Sequence, residues 1–195
     1  MTYPLSDDRS DDPTEGRPSG SDPVADAEST PVTGGRAADD RRRIKVGVGE
    51  LAVTSDEATL TTSGLGSCVA VALADEAAGV RGLLHAMLPA GEGQTAAISR
   101  PAKYVDTGVD SLIGALDDAG ADPRRLEARV AGGAEMLDLT DAVGPRNVER
   151  VGDVLDAAGV PIVASDVGDT VGRTVRFGPD ARLVVRAADG FERSI

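Results

Sequence analysis

The residues best suited to covalent chemistry in this chain are Cys68 and His85, because each is the only residue of its type. Cys68 lies in GLGSCVAV, and His85 follows seventeen residues later in GLLHAMLP. A thiol has a pKa of about 8.5 and is mostly protonated at neutral pH. A neighbouring imidazole can accept that proton, leaving a thiolate nucleophile and an imidazolium that later protonates a leaving amine. The pair therefore predicts a hydrolase or transferase of the cysteine–histidine type.

The two residues fall on neighbouring strands if the segments around them form a hairpin. CVAVALA and VRGLLHAML are apolar runs typical of strands, and DEAAG between them predicts a turn. A symmetric hairpin centred between Glu76 and Ala77 places Cys68 directly opposite His85. Opposed Cβ atoms on one sheet face lie ~4.5–5.5 Å apart, so the thiol would lie within hydrogen-bonding reach of the imidazole. A register shift of one residue would place the two side chains on opposite faces.

A glycine-containing loop, SGLGS, precedes the cysteine. Gly64 and Gly66 let the backbone approach a substrate closely, and the N–H groups of the loop, with Ser67, are candidates to hold the oxyanion of a tetrahedral intermediate. A third group should orient the imidazole through a hydrogen bond. Thr62, Ser63 and Ser67 are all close in sequence, and the residue pattern leaves the choice among them open.

Each of these features, taken alone, also has a purely structural interpretation. A single cysteine in an apolar strand is usually a small core residue. His85 beside Leu84 and Met87 fits a hydrogen-bonded core histidine, and the glycines before Cys68 fit a plain turn. The coincidence of all the features favours catalysis. A metal site is disfavoured because one Cys, one His and no spaced carboxylate cluster make a poor ligand set, and no cofactor is expected.

Charge and composition argue against several classes of protein. The formal net charge is −13, and only Lys45 and Lys103 among the 20 basic residues are lysines, which is typical of adaptation to high salt. Such a surface argues against non-specific nucleic-acid binding. A single cysteine forms no internal disulfide, no apolar run reaches about 18 residues, and the N-terminus does not resemble a secretory signal. We therefore expect a cytoplasmic protein without membrane insertion.

The chain divides by composition into a tail and one domain. Residues 1–42 are rich in Asp, Ser, Pro and Gly, which predicts a disordered acidic tail, and residues 43–195 should form the domain. One helix is expected in KYVDTGVDSLIGALDDAG and a second from an N-cap at Asn147 to Gly159. Strands are expected in RIKVGVGEL, EATLTTSGLGS, CVAVALA, VRGLLHAML, RLEARVAGG, PIVASDVG, RTVRFG and ARLVVRA. Many closely spaced strands with two helices predict an α/β (α+β) sandwich of mixed, largely antiparallel sheets flanked by helices.

Five blocks of this sequence occur in the order and spacing of the CheD family: TSGLGSCVAV, LLHAMLP, KYVDTGVDSLI, VAGGAEM and RNVERV. The sequence resembles that family from about Ile44 to the C-terminus, and its composition suggests a member from a halophilic archaeon. CheD proteins are chemoreceptor glutamine deamidases, which hydrolyse receptor glutamines to glutamates and release ammonia. The resemblance implies that Cys68 is the nucleophile, that His85 is the general base and acid, and that Thr62 orients His85.

The resemblance also implies a fold and partners. The fold would be similar to the catalytic domains of deamidating bacterial toxins. The partners would be methyl-accepting chemotaxis receptors, as substrate, and a CheC-type phosphatase that acts on the response regulator CheY. Two other functions stay open from the sequence: a regulator of that phosphatase with little catalytic use, and a small-molecule amidase.

Overall fold

The computed structural model describes residues 42–90, 99–135 and 142–195, so the predicted tail, apart from Arg42, lies outside the described residues. The helices in the described part are α1 (Val105–Asp118) and α2 (Val143–Ala157). Single 3₁₀ turns cover Pro101–Lys103 and Pro123–Arg125. The strands are β1 (Arg43–Lys45), β2 (Glu50–Thr54), β3 (Thr59–Leu65), β4 (Val69–Asp75), β5 (Val80–Ala86), β6 (Glu127–Gly132), β7 (Ile162–Val167), β8 (Arg173–Phe177), β9 (Leu183–Ala187) and β10 (Glu192–Ser194).

These strands form two five-stranded sheets that pack face to face. Sheet A has the order β1-β3-β8-β9-β10, and sheet B has the order β2-β5-β4-β6-β7. One neighbouring pair in each sheet is parallel, β1–β3 in sheet A and β6–β7 in sheet B, and the other pairs are antiparallel. The prediction of a sandwich of mixed, largely antiparallel sheets with two helices is confirmed.

The central strand β4 is buried on both faces, and alternate residues serve two different cores. Val69, Val71 and Leu73 pack toward the helices, in a cluster that contains the apolar stripe of α1 and part of that of α2. The intervening residues are alanines, which pack toward sheet A in a second cluster with Leu60, Val175, Phe177 and Leu183. Small side chains on one face and larger ones on the other follow from the two-residue period of a strand. The helices therefore cover the outer face of sheet B, and sheet A covers its inner face.

The segment RIKVGVGEL, which was predicted as one strand, contains two strands that belong to different sheets. β1 pairs with β3 in sheet A, whereas β2 pairs with β5 in sheet B. Gly49, between them, has a φ of +71°, a backbone conformation that glycine adopts without strain. The alternation of apolar residues continues through this crossing, so the pattern alone predicted an unbroken strand, but Val48 is exposed.

The first helix matches its prediction, and the second begins earlier than predicted. α1 is followed by Gly120 with a φ of +97°, which fits the predicted left-handed C′ residue. α2 begins at Val143, so Asn147 lies inside the helix and is not its N-cap. The prediction of an N-cap at Asn147 is therefore wrong.

Candidate active site

His85 lies at the end of β5 and is fully buried between the two sheets. Its Nδ1 atom is 2.7 Å from the Oγ1 atom of Thr62, which belongs to β3 in the opposite sheet. The hydroxyl can donate to Nδ1 or accept from Nδ1–H, according to the tautomer of the ring. In the described part of the chain, the Nε2 atom is buried without a hydrogen-bond partner. The ring is thus held on one side and has an unused polar atom on the other.

Cys68 immediately precedes β4 and is half-buried. Its side chain packs against the cluster between the sheets, the side on which His85 contacts Thr62. The residue paired with His85 is Ala70, so Cys68 is a diagonal neighbour of His85 and is not directly opposite it. Diagonal neighbours on one face lie about 7–8 Å apart, with Cβ atoms somewhat closer. The predicted register is therefore wrong, although the predicted shared face is correct.

The turn of the hairpin accounts for the shifted register. The last pair before the turn is Asp75 with Val80, so the turn is centred one residue later than predicted. Gly79 has a φ of +67°, and the Asp75 carboxylate accepts the N–H of Ala78 inside the turn. These local interactions fix the turn, and moving its centre by one residue shifts every cross-strand pair by two. A shift of two keeps each side chain on its original face.

Burial sets the protonation states of the two residues in the resting protein. Burial lowers the pKa of His85 below its usual value, because the charged imidazolium loses its hydration. Burial raises the pKa of the Cys68 thiol. A hydrogen bond from the Cys68 backbone N–H to the sulfur lowers that pKa, but by less than burial raises it. Both shifts favour a neutral thiol beside a neutral imidazole at neutral pH. Neither shift therefore favours a thiolate–imidazolium pair in the resting protein.

The loop before Cys68 is held by its own backbone. Gly64 is exposed, has a φ of +77° and lies at an irregularity in the pairing of β3 with β8. The Gly66 N–H donates to the Gly64 carbonyl at 3.1 Å, and the Gly66 carbonyl accepts the Ala134 N–H at 2.8 Å. Ser63 is exposed and pairs with Thr174. Of the residues considered for orienting the imidazole, Thr62 is the one whose hydroxyl contacts it.

The backbone after β6 packs directly under this loop, and only glycine fits at two of its positions. Gly132 has a φ of +106°, and a Cβ there would lie 2.4 Å from the Cys68 carbonyl oxygen. The N–H of Gly133, where φ is +64°, donates to that same oxygen at 2.8 Å. A Cβ on Gly144 of α2 would lie 2.3 Å from the Ala134 carbonyl oxygen. This close approach supports the backbone that carries the thiol.

Asn147 is a residue of the site that sequence reasoning assigned to a different role. It is fully buried in α2, and its Nδ2 group donates to the Ser67 carbonyl at 2.8 Å and to the Met87 carbonyl at 3.1 Å. One amide thus joins the residue before Cys68 to the segment after His85. The signal was present in the sequence: Gly144, Asn147, Val151 and Leu155 follow helical spacing, so Asn147 lies on the buried stripe.

Residues 42–90, 99–135 and 142–195 contain no group of three or more His, Cys, Asp or Glu side chains that could hold a metal ion. Neither helix in those ranges is long and apolar enough to cross a membrane.

Comparison with known proteins gives consistent matches. The family model described as CheD chemotactic sensory transduction matches residues 87–187. A probable chemoreceptor glutamine deamidase CheD from Haloarcula marismortui is 43% identical over 151 residues, which are 75% of this chain and 86% of the relative. The chemoreceptor glutamine deamidase CheD of Halalkalibacterium halodurans is 40% identical over 159 residues, covering 78% of this chain and 98% of the relative. The chemoreceptor glutamine deamidase CheD of Thermotoga maritima is 40% identical over 150 residues, which are 76% of this chain and 94% of the relative.

The family-model match begins at Met87, after Thr62, Cys68 and His85. The relatives cover most of the chain and are themselves covered almost completely, so the similarity extends well beyond the matched model.

Proposed function

Because the chain belongs to the CheD family, we propose that it hydrolyses glutamine side chains of chemoreceptors to glutamate and ammonia, with Cys68 as nucleophile. One observation carries the proposal. The only thiol and the only imidazole of the chain share one face of β4 and β5, and His85 keeps a buried Nε2 without a hydrogen bond in the described structure. Of the buried side-chain nitrogens without a partner in the described ranges, Nε2 is the only one that does not belong to a guanidinium, so it is the one that can accept a proton near neutral pH.

The first step joins the thiol to the substrate. Nε2 of His85 accepts the Cys68 proton while Sγ attacks the carboxamide carbon of the glutamine, so a C–S bond forms and the carbonyl π pair moves to oxygen. The resting pair is neutral, so the imidazolium charge appears only as the reaction proceeds. The Thr62 hydroxyl holds Nδ1 at 2.7 Å, and in this proposal the ring held in that way offers Nε2 to the thiol.

The loop provides donors for the oxyanion that forms in this step. We assign this role to the backbone N–H groups of Ser67 and Cys68, in the loop that also contains Gly64 and Gly66. The Gly66 N–H already donates to the Gly64 carbonyl, which makes it the weaker candidate. Backbone donors fixed before the reaction stabilise developing charge without reorganising. Asn147 and Gly133, which bind the carbonyls of Ser67 and Cys68, hold this backbone in place.

The remaining steps return the enzyme to its resting state. The oxyanion collapses, the C–N bond breaks, and the His85 imidazolium gives its proton to the leaving nitrogen, which departs as ammonia. Water then attacks the thioester with His85 as general base, the C–S bond breaks, and the His85 imidazolium returns its proton to sulfur. The new carboxyl group passes its proton to the ammonia or to solvent and remains as a glutamate side chain.

Mass spectrometry of a purified chemoreceptor cytoplasmic fragment tests the proposal directly. Incubation at high salt with the wild-type protein should convert selected glutamines to glutamates, seen as the mass change of an amide replaced by a carboxyl. Cys68→Ala should abolish the change while the protein stays folded. Conversion at the wild-type rate by Cys68→Ala would exclude Cys68 as the nucleophile.

Three further expectations follow from family membership. We propose a CheC-type phosphatase as a second binding partner, the cytoplasm as the location, and a fold similar to deamidating toxin domains. Pull-down with purified CheC, cell fractionation and structural superposition test them in turn. If the signalling effect of the protein survives Cys68→Ala but requires CheC, the regulatory alternative replaces the enzymatic one.

A further inference from the structure

A groove of about 450 Å³ crosses the outer face of sheet A, the face turned away from sheet B. Its floor is formed by β8 and β9, and one wall includes Gly64 of β3, four residues before Cys68. The lining residues are Gly64, Gly172, Arg173, Thr174, Arg176, Val184, Arg186, Ala187, Ala188 and Gly190.

The groove lies at the same end of the sandwich as the candidate active site. Arg173 pairs with Leu65 on one side and with Ala187 on the other, so these ends of β3, β8 and β9 are level with one another. Leu65 is followed directly by the loop that leads to Cys68. A chain segment lying in the groove would therefore pass the entrance to the catalytic loop.

Three arginines line the groove although the protein is strongly acidic, and one exposed carboxylate, Asp189, lies in the turn between the lining residues Ala188 and Gly190. Arg173 is neutralised by Asp166 at 3.0 Å, and Arg176 contacts Glu192 at 3.1 Å. Arg186 is exposed and makes no ion pair with any residue of the described ranges, in a chain that carries 33 carboxylates and a net charge of −13. An exposed guanidinium with its donors unused is a ready partner for a carboxylate.

The rest of the outer face of sheet A has the same sign. Its strands present Arg43, Lys45, Arg176 and Arg186 to the outside, and Glu192 is the only carboxylate in those five strands. By contrast, α1 on the opposite side of the domain carries four aspartates and no basic residue. An acidic partner is repelled by α1 and attracted to this face, so the charge distribution favours this orientation.

We propose that this groove docks a carboxylate-rich segment of the protein substrate and so presents a neighbouring glutamine to Cys68. This inference rests on the proposed deamidase function and deepens it, because it names where and by what chemistry the substrate is recognised. Phe191 follows the lining residue Gly190, and its side chain is 63% exposed. It provides an apolar contact beside the arginines. Aromatic residues and arginines are enriched at protein interfaces.

Charge reversal in the full-length protein tests the groove. The variant is Arg186→Glu, and the matched control is Arg182→Glu, an exposed arginine in the turn at the far end of the same β8–β9 hairpin. With a purified chemoreceptor cytoplasmic fragment as substrate, Arg186→Glu should raise KM up to about fivefold, which is the effect of losing one exposed ion pair, and leave kcat unchanged. The control should leave both constants unchanged.

Two further readouts separate docking from damage to the site. The rate of Cys68 alkylation by iodoacetamide should be the same in wild type and Arg186→Glu, because the thiol and its neighbours are untouched. The KM of the wild type should rise with salt more steeply than that of the variant, since screening weakens attraction between opposite charges.

An unchanged KM for Arg186→Glu would overturn the inference. A lowered KM would also overturn it, and would indicate that the groove is occupied by the chain's own residues 1–41, which carry ten carboxylates and four arginines. Failure of the proposed deamidase function gives a different result: the wild type would convert no glutamine of the fragment, or Cys68→Ala would convert it at the wild-type rate.

Discussion

The two ends of the β4–β5 hairpin each contain a fully buried polar side chain. At the turn end, Asp75 accepts four hydrogen bonds. At the open end, the Nε2 atom of His85 has no hydrogen-bond partner in the described structure. Arg125 supplies two of the bonds to Asp75, at 3.1 and 2.6 Å, and the backbone N–H groups of Ala78 and Asp122 supply the others. One hairpin thus carries a saturated polar group at one end and an unsaturated one at the other.

The difference separates two uses of a buried polar residue. A saturated carboxylate joins the turn to the segment before β6 and contributes to stability. A buried imidazole with one unpaired nitrogen stabilises the fold less than one with both nitrogens hydrogen-bonded, because the cost of desolvating Nε2 is not offset by a hydrogen bond. That deficit leaves a nitrogen available to take a proton. We therefore expect substitutions at the open end to change activity more than stability, and those at the turn end to do the reverse.

The largest effect on activity should come from His85→Gln. Removing the general base should lower kcat by about 10²–10⁴-fold, with little change in the midpoint of thermal unfolding. Stability should also lose part of its pH dependence. The pKa of His85 is lowered on folding, so the unfolded state binds the proton more tightly, and wild-type stability falls as the pH drops below the unfolded value of about 6.5.

Deamidation assays and thermal melts between neutral and mildly acidic pH check this expectation. His85→Gln should flatten the dependence of the melting midpoint on pH in that range. A variant that keeps its wild-type kcat would remove His85 from the mechanism.

The opposite result is expected at the turn end. Asp75→Asn removes the charge that faces Arg125 and should lower the midpoint of thermal unfolding by several degrees, with kcat retained in the folded fraction. The hydrogen bonds from Arg125 hold the pKa of Asp75 well below its usual range. Its contribution to stability is therefore present above the unfolded pKa of about 3.9 and is lost as the pH falls toward the folded value.

Asp118→Asn is the matched control for this substitution, because Asp118 is an exposed residue at the end of α1. Thermal melts should show no change for the control. Equal melting midpoints for Asp75→Asn and Asp118→Asn would contradict the assignment of Asp75 to stability.

A smaller effect on activity is expected from Asn147→Ala. The Ser67 and Met87 carbonyls would lose their shared donor, and the resulting displacement of the thiol and imidazole should lower kcat by up to about 100-fold. Val151→Ala is the control, because Val151 lies on the same buried stripe of α2 and leaves those carbonyls untouched.

The two variants are compared by melting midpoint and by kcat. Val151→Ala should lower stability and keep kcat, whereas Asn147→Ala should lower kcat even when the comparison is made at equal folded fractions. If kcat falls in both variants in proportion to stability, Asn147 is a structural residue only.

The smallest effect should come from Thr62→Val, which keeps the shape of the side chain and removes the hydroxyl. Loss of one neutral hydrogen bond, worth about 1 kcal/mol, should lower kcat roughly fivefold. Thr62→Ser should restore most of the activity. Thr61→Val is the control, because Thr61 lies one residue earlier on the other side of β3, and it should leave kcat unchanged. An equal fall in kcat for Thr61→Val and Thr62→Val would argue against an orienting role for Thr62.

Local patterns of residues were enough to predict much of the fold and the shared face of the candidate pair. The two-residue period of the strands placed Cys68 and His85 on one face even though the predicted register was wrong by two, because the face depends only on whether the shift is odd or even. Helix α1 and the β8–β9 hairpin were also predictable, since local patterns and turn residues specify them.

The residues that surround that pair depend on how the two sheets and α2 pack on one another, which local patterns do not specify. Thr62 reaches His85 because sheet A packs over sheet B, and residue spacing left Ser63 and Ser67 as equal candidates. Asn147 reaches the loop before Cys68 because α2 packs over the ends of β4 and β6, where Gly133 and Gly144 allow close approach. These contacts join segments far apart in the chain, and no local period encodes the packing of one layer on another, so their geometry exists only in the folded domain.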